Sequence, residues 1–289
     1  MTALRSIASS HAARRLRRSR SAQLGLVCVA AVVTLALVGP LFVGDPTQQD
    51  LLLRLKPPVW VAGGDPQFVL GSDQLGRDVL ARVVYGARIS LLIALLAVVL
   101  AGVLGVTLGL YTGYYGGALD GIVMRLAEVQ LAFPFILLVI LIVGAIGPSV
   151  TNLVLVLGIS GWILYARVVR GQVLAIRAMD FVLAARCVGI ADNAIVLRHV
   201  LPNAFSPVIV VATFAAAQVI VTEAALSFLG LGVQPPDASW GRMLSDSRDH
   251  LTTNAWLATI PGVAIMLTVV GLNLLGDWLR DVLDPRLKV

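Results

Sequence analysis

Few side chains in this sequence could do chemistry. The three histidines, His11, His199 and His250, lie far apart, and the two cysteines, Cys28 and Cys187, sit in unrelated contexts. No C-x-x-C, H-E-x-x-H or G-x-S-x-G occurs, so nothing in the pattern supports a metal centre or an activated nucleophile. The two lysines, Lys56 and Lys288, stand outside any G-x-x-x-x-G-K-[ST] loop that would cradle a nucleotide phosphate. Energy for any work done by this chain must come from a gradient or from another polypeptide. A gradient-driven protein places ionisable groups near the bilayer midplane, where a charge costs about 2.5–3.5 kcal/mol on insertion scales. The only glutamates are Glu128 and Glu223. Glu128 follows Arg125 by three residues, the spacing of a local ion pair on a helix. Glu223, followed one turn later by Ser227, either holds the glycine-rich turn after it or lines a translocation path.

The stretch with the most distinctive spacing is Phe181–Asn203, FVLAARCVGIADNAIVLRHVLPN, a basic island between two apolar runs. Leu183, Ala184, Cys187 and Val188 recur at helical spacing and predict a short amphipathic helix over Asp180–Val188. Gly189 stops that helix through left-handed backbone angles, and Pro202 starts the next one. Together they predict a rigid knuckle on one face of a membrane.

The composition sets that membrane. The chain has 289 residues, 58% hydrophobic and 13% charged, with mean hydropathy +0.91. Soluble domains run near 45–50% apolar and about 25% charged, so a soluble class is excluded. Six runs are long enough to span: Leu24–Val43, Ile89–Tyr111, Ile122–Ile146, Leu153–Val169, Pro207–Phe228 and Ala255–Leu275. Lipid leaves only helices at these lengths, so the expected class is all-α with six transmembrane helices. Leu24–Val43 reads as a retained anchor, because Gly39-Pro40 and Val43-Gly44 fit a signal-cleavage site poorly. With the N-terminus inside, 15 of the 22 lysines and arginines fall on the cytoplasmic side, including Arg5, Arg14, Arg15, Arg17, Arg18 and Arg20. That bias predicts both termini in the cytoplasm and the knuckle with them. A basic tail beside a span points to anionic lipid rather than nucleic acid.

The expected organisation is a basic cytoplasmic segment 1–23, a first span 24–43 and an external segment 44–87. A five-helix core 88–279 follows, with a cytoplasmic loop 170–205, and then a tail 280–289. Asp73–Arg88 reads as a helix that either lies in the membrane interface or covers the bundle, and Leu229–Asn254 as a structured outer loop. Gly105, Gly109 and Gly113, four apart, predict close helix packing. Tyr111, Tyr114 and Tyr115 sit where an aromatic belt is expected.

Four collinear stretches carry a resemblance that runs from the basic N-terminal segment to the C-terminus. They are LGSDQLGRDVLARVVYGARISL (Leu70–Leu91), Met124-Arg125-Leu126 leading to Leu131-Ala132-Phe133-Pro134, the knuckle with Arg198-His199-Val200-Leu201-Pro202-Asn203, and EAALSFLGLGVQPPDASWGRML (Glu223–Leu244). The sequence resembles the integral-membrane permease subunits of bacterial ABC importers, in the dipeptide/oligopeptide and nickel branch, as the second, shorter permease of the pair. The resemblance implies a type I importer fold of six helices, alternating access, and a place in the bacterial cytoplasmic membrane. It also implies a homologous second permease, two cytoplasmic ATPase subunits that hold ATP and Mg, and an external substrate-binding protein. This chain itself would be non-catalytic and bind no cofactor. The knuckle looks like the family's EAA loop, whose coupling helix docks on the ATPase. Asp180, Leu183, Ala184, Ala185, Gly189, Ile190 and Pro202 are its counterparts here. The family pattern has an acid directly before the two alanines, where this sequence has Leu183, with Asp180 one turn earlier; either Asp180 carries an equivalent polar contact or, as we hypothesise, docking is more apolar, through Leu183, Val188 and Ile190. Asp73, Arg77, Asp78, Gln234 and Trp240 are expected contacts for the binding protein, and Glu223 and Ser227 are candidates for the translocation path. The expected cargo is a short peptide, with nickel or a nickel chelate as the alternative within the family and a gradient-driven transporter outside it.

Overall fold

A computed structural model describes Leu16 and residues 19–283. The basic segment up to Arg18, apart from Leu16, and the tail 284–289 therefore lie outside the described residues. The described chain is helical, and its one extended pairing is an isolated bridge between Ser72 and Asp78. The elements are α1 Arg20–Val38, α2 Val79–Tyr115, α3 Gly117–Leu131, α4 Phe135–Ile146, α5 Val150–Ser160, α6 Trp162–Ile176 and α7 Asp180–Cys187. After them come α8 Asp192–Ile195, a π-turn Val196–Val200, α9 Leu201–Phe228, α10 Trp240–Asp246 and α11 Trp256–Leu283. Among the described residues five helical runs are long and apolar enough to cross a membrane, or six if one bent pair counts as a single span.

That bent pair is the first correction. The expected span Ile122–Ile146 is two helices, α3 and α4, which meet at 88°. Pro134 is the cause: it has no N–H to donate, and it pushes Phe133 away from helical angles. The first run, Arg20–Leu41, stops two residues short of the expected Val43, while each of the other four extends beyond at least one expected end. Apolar counting marks the lipid-embedded part of a helix, whereas backbone hydrogen bonding continues into water.

The clearest case is α2. Its 37 residues make a rod of about 55 Å, against a hydrocarbon core of about 30 Å. No separate interfacial helix exists at 73–88. Instead Asp73 accepts the backbone N–H groups of Leu75 and Arg77 at 2.8 and 3.0 Å, closing a turn. Asp78 then caps α2 by accepting from the Leu80 N–H at 2.9 Å. Short carboxylates hold turns and caps through such local bonds, and the helical part of the stretch is simply the outer end of α2.

Close packing organises the bundle around α2 and α6. A Cβ on Gly105 would fall 2.6 Å from Tyr165 Cβ, on Gly109 2.5 Å from the Ala166 carbonyl oxygen, and on Gly113 2.8 Å from Val173 Cβ. The glycine stripe therefore has the packing role expected of it, because any side chain would push the two helices apart. At the edge of the bundle α1 lies on α11, where a Cβ on Gly25 or Gly271 would meet Leu274 or Cys28 at 2.9 Å.

Candidate functional site

The short helix expected in the knuckle is present as α7 and ends as its residues require. The Ile190 N–H donates to the Ala185 carbonyl at 3.1 Å and the Gly189 N–H to the Arg186 carbonyl at 2.9 Å. This paired closure needs a left-handed residue, and Gly189 has φ +82°. Nothing lies within 4 Å of a Cβ built on Gly189, so backbone conformation alone demands glycine here.

One face of α7 is buried and the other is open. Val182 and Ala185 join a core with Tyr114, Ile195, Val196 and Val200. Leu183, Val188 and Ile190 are exposed by 46%, 81% and 38%, and together present an apolar patch. The structure separates the two alanines: Ala184 faces outward, and Ala185 packs inward, where it cannot meet a partner. Asp180 is exposed in the first turn, where a helix dipole favours an acid.

The seat of α7 uses residues that no spacing singled out. Tyr114 Oη donates to Asp192 Oδ1 at 2.5 Å and accepts from Arg186 Nε at 3.1 Å. The Arg186 guanidinium also lies 4.8 Å from the Tyr114 ring centroid. The phenol oxygen that accepts from it holds the Arg186 pKa above its ordinary value. Arg177 Nη1 donates to the Gly113 and Tyr114 carbonyls at 3.0 and 3.3 Å, so the α6–α7 turn also closes the end of α2. Beside these groups opens a cleft of about 820 Å³, lined by Tyr115, Arg177, Arg186 and Asp192. Tyr111 and Tyr115 stack at 5.9 Å, but Tyr114 is 3% exposed and serves as an internal bolt rather than part of a belt.

Pro202 does not restart a helix after a loop. The helical run is continuous from Asp192 to Phe228, and Pro202 lies exposed just past the π-turn Val196–Val200. A wide turn immediately ahead absorbs the bond that proline cannot donate.

On the other side of the bundle, several expected contact residues are interior. Asp73 Oδ2 receives Arg77 Nε at 2.7 Å and Arg82 Nη1 at 2.5 Å, and Asp246 Oδ2 receives Arg82 Nη2 at 3.0 Å. Asp73, Arg77 and Arg82 are exposed by 5% or less, so they latch the external segment to α10 and offer no outer surface. Trp240 is 0% exposed, with its Nε1 donating to the Val83 carbonyl at 3.1 Å. Gln234 is half-buried and donates to the Gly230 and Gly232 carbonyls. Asp78 is half-buried, and burial pushes its carboxyl above the usual carboxylate range. Of the predicted contacts only these last two keep part of their surface.

Glu223 and Ser227 are interior as well. Glu223 is 1% exposed, and its carboxylate accepts from Ser227 at 2.7 Å, Ser239 at 2.8 Å and Ser90 at 3.3 Å. It ties α9, the outer loop and α2 together, an arrangement that holds the turn after α9. A buried carboxylate with three donors is satisfied in place. The Arg125–Glu128 pair forms as expected, exposed, with Nη1 to Oε2 at 3.1 Å.

The sequence matches known proteins. Residues 105–289 fit the family model for the binding-protein-dependent transport system inner membrane component, and residues 9–58 fit that for the N-terminal TM domain of oligopeptide transport permease C. Among curated proteins the chain is 44% identical over 276 residues to the dipeptide transport system permease protein DppC of Escherichia coli, covering 94% of this chain and 91% of the relative. It is 41% identical over 265 residues to the di/tripeptide transport system permease protein DppC of Pseudomonas aeruginosa, covering 91% and 88%. The DppC of Alkalihalophilus pseudofirmus is 39% identical over 275 residues, covering 95% and 89%. The chain belongs to the family of inner-membrane permease components of binding-protein-dependent transport systems.

Proposed function

We propose that this chain is one permease subunit of an ATP-driven importer of short peptides in the bacterial cytoplasmic membrane, with both termini in the cytoplasm. It pairs with a homologous permease, receives cargo from an external binding protein, and rests on two cytoplasmic ATPase subunits. ATP and Mg belong to those subunits, and this chain binds no cofactor. The peptide reading draws on relatives whose names specify dipeptides and di/tripeptides, and none of those names favours the nickel alternative.

The observation that carries the proposal is the combination of a free apolar face and a fixed base on α7. Leu183, Val188 and Ile190 are open to a partner, while Val182, Ala185 and the Arg186–Tyr114–Asp192 bonds fasten the helix to α2 and α8. A helix that transmits a push must not rock on its seat. Closure of the ATPases below would move α7 as a lever and re-pack the spans between two discrete arrangements.

The test is uptake by the complete transporter in proteoliposomes, with binding protein outside and ATP inside. Uptake of short peptides that requires both supports the proposal. Uptake driven by an ion gradient without ATP overturns it.

A further inference from the structure

A cavity of about 420 Å³ opens at the bend between α3 and α4, walled by Phe133, Phe135 and Phe214. Its size and mainly apolar lining are those of a small-molecule site. Irregular backbone at membrane depth is tolerated only where protein or a water-filled space covers it, and both sides of the α3–α4 break line this cavity. Six polar side chains complete the wall, Gln130, Ser160 and Thr222 among them. Arg167, Tyr165 and Gln218 come from two different spans, Val150–Ile176 and Asp192–Phe228.

Two of these have no partner. Arg167 makes no hydrogen bond or ion pair among the described residues. The two glutamates cannot neutralise it, since Glu128 holds Arg125 and Glu223 holds three serines. Tyr165 is 1% exposed and its hydroxyl is buried without a hydrogen-bond partner. Arg167 is exposed on α6 near the cytoplasmic end of its span, so its guanidinium stands free at the cavity wall for an incoming anion. An orphaned buried hydroxyl costs about 1–3 kcal/mol unless something fills its bond. Gln130 fixes the shape of the site: its Nε2 donates to the Ser160 carbonyl at 2.7 Å and its Oε1 accepts from Trp162 Nε1 at 3.0 Å. These bonds hold the end of α3 against the α5–α6 junction.

We infer that this cavity binds the translocating peptide, with Arg167 taking its terminal carboxylate and Tyr165 and Gln218 bonding its backbone. The inference rests on the peptide reading above. Short peptides of any sequence share only their termini and backbone, while their side chains vary. A site that passes many of them needs fixed polar groups for the shared part and adaptable apolar walls for the rest. Arginine suits the carboxylate because its planar fork makes two parallel bonds.

The test uses the complete transporter in proteoliposomes, fed with a dipeptide that carries a photoreactive diazirine side chain. Irradiation during turnover of the wild type should label residues 130–138 or 214–222 of this chain. Label confined to other segments or other subunits overturns the inference without needing any variant. Arg167→Gln, in complexes shown to co-purify with all subunits, should lower uptake roughly 10- to 100-fold, the loss of a charge-assisted bond, and lower the labelling with it. Arg167→Lys should retain more of both. Arg167→Gln uptake within about twofold of wild type would mean that this arginine only reaches a lipid phosphate. Lost uptake with labelling intact would mean that it pairs with an acid on another subunit; either result sinks the carboxylate role. A wild-type complex that takes up no peptide fails at the earlier step, against the transport reading itself.

Discussion

Tyr114 and Asp192 stand 78 residues apart and meet through a 2.5 Å hydrogen bond between the phenol and the carboxylate. That bond joins the last turn of α2 to the first turn of α8, and Arg186 of α7 closes on the same phenol oxygen. The short helix thus has its orientation set by the longest rod in the molecule. Force applied to its outer face reaches α2 directly.

Tyr114→Phe keeps the ring in the core but removes both hydrogen bonds. We expect a stability loss of about 0.5–1.5 kcal/mol, because Asp192 and Arg186 lose a partner but are exposed enough for water to replace it. Uptake per ATP should fall several-fold while co-purification with the ATPase subunits is retained. Parallel measurements of ATP hydrolysis and peptide uptake check this, and an unchanged ratio would argue that the seat needs only its apolar packing.

Gly189→Val forces a β-branched residue to φ +82°, at a local strain of about 1–3 kcal/mol. Space is not the obstacle, so the effect should come wholly from the turn that ends α7. The expected outcome is ATP hydrolysis largely retained and uptake largely lost. Wild-type uptake per ATP would refute the lever.

Leu183→Asp restores an acid directly before the two alanines. If α7 docks through an apolar patch, the variant should co-purify with less ATPase subunit and transport more slowly. Quantified subunit ratios after affinity purification decide the matter. Unchanged assembly and transport would mean that Leu183 lies outside the contact.

Gly109→Leu would drive a side chain into the Ala166 backbone, 2.5 Å from where its Cβ must sit. Separation of α2 and α6 should lower the thermal denaturation midpoint of the detergent-solubilised protein by several degrees, as overpacking of about 1–3 kcal/mol or more requires. A midpoint equal to wild type would show that the two helices have room to part.

Sequence alone determined the features that depend on local spacing. Membrane class follows from apolar run length, the stop after α7 from Gly189, and the close α2–α6 contact from glycines four apart. Each is a property of neighbours along one helix or turn. Only the tertiary structure decided which polar groups face inward. Asp73, Arg77 and Trp240 look like surface residues of an external loop, yet each is buried by partners far away in the chain, such as Asp246 and Val83. Ala184 and Ala185 are identical in type, and the packing of α7 on the core sends one outward and the other in. Hydropathy cannot separate a lipid-facing leucine from a protein-facing one, because both environments are equally apolar. For the same reason the pairing of Tyr114 with Asp192, the three serine hydrogen bonds to Glu223 and the unpaired Arg167 in the cavity at the α3–α4 break emerge only once the helices are placed against one another.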